Sequence, residues 1–236
     1  MGQCEEQLFD MKDTVFLLLE TSTEICTTVL TKGGEVIASR YCDRPKSHAS
    51  RLAVQISEVF AESGMTIAEC DAVAVSEGPG SYTGLRVGVS TAKGLCFGSG
   101  KPLISVPTPQ ILAMAAVDRA DKIVALIDAR RMEAYCAVFD RNGTPLVEVE
   151  PIIFDKDSFR DLLDEDSVIF VGNAASKLQG VISHPNAIFE QCNPLAQHMI
   201  IPATKAFTKK EFKDIAYFEP FYLKDFVAGI SKKKLL

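Results

Sequence analysis

Apolar residues in this chain come in short unbroken runs set between polar turns, and the same succession of runs occurs twice. Residues 15–20 (VFLLLE) are almost wholly apolar, the pattern of a strand buried on both faces. Runs at 25–30 and 35–41 flank Lys32-Gly33-Gly34, which predicts a hairpin. Over 48–61 the spacing of Leu52, Ile56, Val59 and Phe60 predicts an amphipathic helix. A fourth strand follows at 72–75, then a glycine-rich loop, a helix ending near Gly98, a strand at 103–106 and a helix over 108–116. The order then recurs, with strands at 123–128, 133–139 and 145–149 and Arg141-Asn142-Gly143 as the hairpin turn. A short helix over 158–163 and a strand at 168–171, ending at Gly172-Asn173-Ala174, come next. Helical segments over 194–207 and 211–216 complete the second half.

Two copies of β-β-β-α-β-α predict an α/β chain built from a duplicated ribonuclease-H-like unit, a mixed sheet flanked by helices. The expected division is an N-terminal lobe at 14–107 and a shortened C-terminal lobe at 108–236. In duplicated folds of this kind a nucleotide can lie between the halves, facing the turn that follows each first strand. Those turns are Glu20-Thr21-Ser22-Thr23 and Asp128-Ala129-Arg130. Acids and hydroxyls at strand ends can hold phosphate and a hydrated metal, and the same residues also make ordinary polar turns. Both readings stand at this point.

The loop Gly78-Pro79-Gly80-Ser81-Tyr82-Thr83-Gly84-Leu85-Arg86-Val87-Gly88 joins a strand to a helix, a place where backbone N–H groups can meet an anion. It is not a P-loop, because Leu85 and Arg86 follow Gly84, and its GxGxxxG spacing is not the dinucleotide fingerprint. Nor is Ser81 in a GxSxG elbow; it is placed to cap the helix. Over 83–97 the helix carries only two charges, Arg86 and Lys93, on one stripe expected to reach solvent. A helix with water on one side shows a broader polar face. The pattern therefore predicts a second cover. Gly84, Gly88 and Ala92, with Leu85, Val89 and Leu95, are the expected partner-binding residues, and His48 at the start of the neighbouring helix is expected beside them.

The 236 residues carry a formal charge of −6, which argues against a surface made to hold phosphate backbones. Seven cysteines, at 4, 26, 42, 70, 96, 136 and 192, include no CxxC pair, and free thiols in a cytoplasmic protein are expected. No run reaches transmembrane length, and 1–13 is polar rather than signal-like. The basic tail at 231–234 reads as a solvated terminus.

The strand VFLLLETSTEICTTVL, the loop and helix GPGSYTGLRVGVSTAKGL, and the segments GKPLISVPT, DARRMEAY and EPFYLK together resemble the TsaB (YeaZ) family. The resemblance covers about 15–224. It implies membership of the sugar-kinase/Hsp70/actin superfamily and a place in bacterial tRNA threonylcarbamoyladenosine formation. It further implies a non-catalytic subunit that supports its TsaD-like paralogue, with a TsaE-like ATPase, a homodimer when alone, tRNA met only through the complex, and no membrane. No intrinsic cofactor is implied, although a nucleotide can sit at the heteromer interface, near Glu20, Thr21, Ser22 and Asp128. Glu20 stands where relatives have aspartate. TsaD-like chains carry an HxxxH metal pair after the strand that ends here at Val106; Thr108 and Leu112 occupy those positions. An ATPase or phosphotransferase of the same superfamily is the competing expectation.

Overall fold

The computed structural model describes residues 11–44, 47–129 and 132–223. The first half forms β1 (Val15–Glu20), β2 (Cys26–Lys32), β3 (Glu35–Cys42), α1 (His48–Ser63), β4 (Ala72–Gly78), α2 (Tyr82–Ser99), β5 (Leu103–Pro107) and α3 (Thr108–Met114). The second forms β6 (Lys122–Asp128), β7 (Glu133–Asp140), β8 (Pro145–Ile153), α4 (Arg160–Glu165), β9 (Val168–Gly172), α5 (Ala175–Gln179), β10 (Ala187–Gln191) and α6 (Ile200–Thr208). The sheets run β3-β2-β1-β4-β5 and β8-β7-β6-β9-β10. In each, the first strand is central, antiparallel to the strand after it and parallel to the fourth. This is a duplicated ribonuclease-H-like fold, two mixed sheets of one plan.

The unbroken apolar runs are explained by cover on both faces of each sheet. Along β1, Val15, Leu17 and Leu19 point into a core shared with α1 and α2, while Phe16 and Leu18 point into a second core. Along β6, Val124 and Leu126 face one core and Ile123, Ala125 and Ile127 the other. Between the lobes, α3 gives Ile111 to the first lobe's core and Leu112 and Ala113 to the second's.

Three expectations need correction. The apolar pattern does not predict β10, which is short and half-exposed at a sheet edge and so lacks the apolar run that marks the others. No helix forms over 211–216; instead Lys213 bridges the edge of β5, donating its N–H to Leu103 O at 2.8 Å. Edge carbonyls of β5 offered that segment hydrogen bonds a lone short helix would not. Finally, packing does not divide at 107/108. After β10 the chain returns to the first lobe, where Ala196, Met199 and Ala203 fill its second core and the Phe207 ring lies 5.2 Å from that of Phe16.

Candidate partner-binding helix pair and the turn beneath it

Ser81 begins α2 as expected, its side chain accepting the Gly84 N–H at 3.3 Å. Its own N–H donates to Ser22 O at 2.6 Å, drawing the helix start onto the turn after β1. The approach is so close that a Cβ on Gly84 would run into Thr21 O, and one on Gly88 into Thr21 Oγ1. The small-residue strip therefore serves the chain's own turn. Gly84, Leu85, Gly88, Val89 and Ala92 are buried inside the monomer, which corrects the expectation that they face a partner; Leu95 is half-buried. His48 is buried too, with Nε2 donating to Ile25 O at 3.2 Å, so it ties the start of α1 to β2.

The outward side of α2 carries Thr83, Val87, Ser90, Gly94 and Phe97, at alternating steps of four and three residues. Phe97 is 85% exposed and Gly94 has open space around it. On α1 the exposed positions include Ala49, Ser50, Ala53, Val54, Ser57 and Ala61, none charged. The α1 acids lie to one side: Glu58 and Glu62 both bind Arg40 of β3. The spacing of the outward seam was present in the sequence, but the neighbouring glycines gave a louder signal at the same helical period.

Beyond α6 a strap crosses the edge of this region. Lys93 Nζ donates to Phe218 O at 2.8 Å and to Ala216 O at 3.4 Å, and Phe221 N–H donates to Glu77 O at 2.7 Å. The ring of Tyr222 lies 4.8 Å from that of Tyr82, on which Arg86 stacks at 4.3 Å. Lys93 is thus a structural anchor, contrary to the expectation of a solvent-facing stripe.

The turn itself is sealed. Glu20, Thr21 and Ser22 have essentially no exposure, so in this conformation they offer no atom to a phosphate. Ser22 N–H donates to Glu20 Oε1 at 2.5 Å, while Glu20 Oε2, Thr21 Oγ1 and Ser22 Oγ lack partners. Burial outweighs the neighbouring Ser22 and Ser76 groups and pushes the Glu20 carboxyl up to about 7.

In the second lobe Asp128, at the end of β6, is exposed. Asp128 pairs with Lys177 at 2.5 Å, and its N–H donates to Asn173 Oδ1 at 2.7 Å. Asn173 follows the end of β9 and Lys177 lies on α5, both beside Asp128 without any motif to announce them; Arg130 lies outside the described residues. At the metal-pair positions, Thr108 and Leu112 are both buried, Leu112 within the second lobe's core. Leucine has no donor, and a single threonine hydroxyl is a poor transition-metal ligand, so these residues do not fit the metal of TsaD-like chains.

Comparison with known proteins agrees with this geometry. Residues 43–232 match the family described as TsaD, tRNA N6-adenosine threonylcarbamoyltransferase. The tRNA threonylcarbamoyladenosine biosynthesis protein TsaB of Escherichia coli is 30% identical over 227 residues, covering 90% of this chain and 95% of that protein. TsaB of Haemophilus influenzae is 39% identical over 127 residues, 53% of each chain. Among solved structures, YeaZ from Pseudomonas aeruginosa superposes with a TM-score of 0.77 at 27% identity, covering 89% of this chain and all, 100%, of that one. The chain belongs to the TsaD-type family and, within it, to the TsaB (YeaZ) branch of tRNA threonylcarbamoyladenosine biosynthesis proteins.

Proposed function

We propose that this protein is a non-catalytic, cytoplasmic subunit of tRNA threonylcarbamoyladenosine formation, docking a TsaD-like catalytic subunit through the outward faces of α1 and α2. The observation that carries this reading is the uncharged seam: Thr83, Val87, Ser90, Gly94 and Phe97 beside Ala53, Val54, Ser57 and Ala61. Solvated helix faces are normally rich in charge. Four-and-three spacing suits a facing helix packed at a shallow angle, and Gly94 lets it come close. Two such helix pairs related by a two-fold axis would make a four-helix bundle, so a second copy occupies the same face when the paralogue is absent and competes with it when both are present. A TsaE-like ATPase joins the assembled pair, and tRNA is met through the complex. Thr108 and Leu112 in place of a metal pair support the absence of intrinsic transfer activity.

Co-expression with the TsaD-like paralogue tests the docking face. Phe97→Asp should leave a folded protein that no longer co-purifies with the catalytic subunit; undiminished association would refute the seam. A nucleotide at the heteromer interface is the accompanying proposal, supported by the polar cluster of exposed Asp128 with half-buried Asn173 and Lys177. Calorimetric titration of ATP into the isolated subunit and into the complex should detect binding to the complex alone. Tight binding by the isolated chain would favour the ATPase or phosphotransferase alternative.

A further inference from the structure

Cys26 opens β2 and Cys42 closes β3, and the two are directly opposite on the last rung of that antiparallel ladder. Facing residues on such a rung share one side of the sheet with Cβ atoms about 4.5–5.5 Å apart. A disulfide needs Cβ atoms near ~3.8 Å, a small further approach. A terminal rung can make it with neighbouring pairs on one side only to restrain it. Both thiols are free and both belong to the core under α1.

Their surroundings differ in a way that assigns them roles. Cys42 Sγ lies 3.4 Å from Ser47 Oγ, at the entrance to α1. The Ser47 hydroxyl, then the Arg44 backbone and the nearby arginines, hold its thiol below the ordinary value. Cys26 is wholly buried, and burial pushes its thiol up to about 12. Cys26 Sγ–H donates to Gln55 Oε1 at 3.3 Å; that oxygen also accepts from Thr28 Oγ1 at 3.1 Å, and Gln55 Nε2 returns a bond to Cys26 O at 3.2 Å.

We propose that Cys26 and Cys42 form a reversible cross-strand disulfide, made by a hydroperoxide, that loosens the seat of α1 on its sheet. Cys42 thiolate attacks the terminal peroxide oxygen; the O–O bond breaks, Cys42 becomes a sulfenic acid, and the leaving alkoxide or hydroxide takes up the proton that Cys42 released and departs as alcohol or water. Cys26 sulfur then attacks Cys42 sulfur, the S–S bond forms, the S–O bond breaks, and the Cys26 proton departs with hydroxide as water. Two thiols supply the two electrons that the peroxide accepts, and a dithiol reverses the change. Oxidation removes the Cys26 thiol donor from Gln55 and the Cys42 thiol from Ser47, two of the ties that hold α1. The consequence for a partner rests on the proposed docking face, because α1 is half of it.

The test treats the reduced full-length protein with one equivalent of hydrogen peroxide. Peptide mapping should find a Cys26–Cys42 cross-link that dithiothreitol removes, and α1 amides should exchange about threefold faster or more in the oxidised protein. Cys26→Ala should stop at a dimedone-reactive Cys42, and Cys42→Ala should give no such link. Absence of the cross-link in the wild-type chain overturns the proposal, as does a cross-link with unchanged exchange in α1. Binding of the catalytic subunit should fall with oxidation and return with dithiothreitol. If the reduced chain does not bind at all, the docking face is refuted, while cross-link and exchange still decide the disulfide.

Discussion

At the residue scale, two features of the buried turn make opposite demands. The Glu20 carboxyl is neutral in the folded chain up to about pH 7, whereas in the unfolded chain it ionises near the ordinary 4.5. A raised carboxyl pKa means that the folded state binds the extra proton between those values. Its contribution is therefore fully present below pH 4.5 and lost as pH rises to about 7, a span worth about 3 kcal/mol. Urea titrations of wild type and Glu20→Gln across this range should show that slope in the first and its loss in the second. An equal slope in both would place the titration elsewhere. Thr21 tests the close approach of α2. Gly84→Ala meets the Thr21 backbone and Gly88→Ala meets its side-chain hydroxyl, and each should cost about 1–3 kcal/mol. Thr21→Ala should relieve Gly88→Ala but not Gly84→Ala, so a double-mutant cycle separates backbone from side-chain obstruction.

At the scale of elements, sequence and structure agree where an element is decided by its own residues. Continuous apolar runs gave β1, β4, β6 and β9 because each is covered on both faces, and Ser81 capped α2 as its side chain dictates. Agreement stops where the decision is tertiary. The strip of Gly84, Gly88 and Ala92 marks a close neighbour, but nothing local says whether that neighbour is another chain or Thr21. The four-and-three seam from Thr83 to Phe97 is equally legible as a pattern, and only burial of the opposite side reveals which faces out. The cluster of Asp128, Asn173 and Lys177 is assembled from two segments more than forty residues apart, so spacing along the chain could not find it. Lys93 looked like a solvated charge because its acceptors, the carbonyls of Ala216 and Phe218, are far along the chain. Lys93→Ala should therefore raise amide exchange in the strap over 216–222 by about tenfold while leaving α2 protected. Unchanged protection there would mean that Phe221 and the Tyr82–Tyr222 contact suffice to hold it. The outward residues are a useful contrast. Phe97→Asp touches no buried contact, so its effect on unfolding free energy should stay within about 0.5 kcal/mol.

At the scale of the whole molecule, duplication makes two sheets of one plan, yet the chain does not make two independent domains. Each sheet needs cover on both faces, and the lobes share the elements that provide it. α3 divides its apolar residues between them, with Ile111 on one side and Leu112 and Ala113 on the other. The segment after β10 supplies Ala196, Met199, Ala203 and Phe207 to a sheet whose own strands ended nearly a hundred residues earlier, and Ala196 N–H bonds Thr27 Oγ1 of β2 at 2.9 Å. Without that segment Phe16, Leu18, Ala72, Ala74 and Ile104 would line an open face, an apolar patch far larger than soluble surfaces tolerate. The opposite face of the first sheet is thus covered from within the chain, and α1 and α2 cover the other. Truncation after residue 195 should therefore damage the first lobe more than the second, even though every residue removed follows the second sheet. Hydrogen exchange of the truncated chain should show lost protection in β4 and β5, with β6 and β9 retaining more of theirs. Met199→Ala offers the gentler version, a cavity costing about 2–5 kcal/mol, whose effect should spread to the same strands. Were β4 and β5 to keep full protection in both, the first lobe would be self-sufficient, and a division of the packing at 107/108 would be restored.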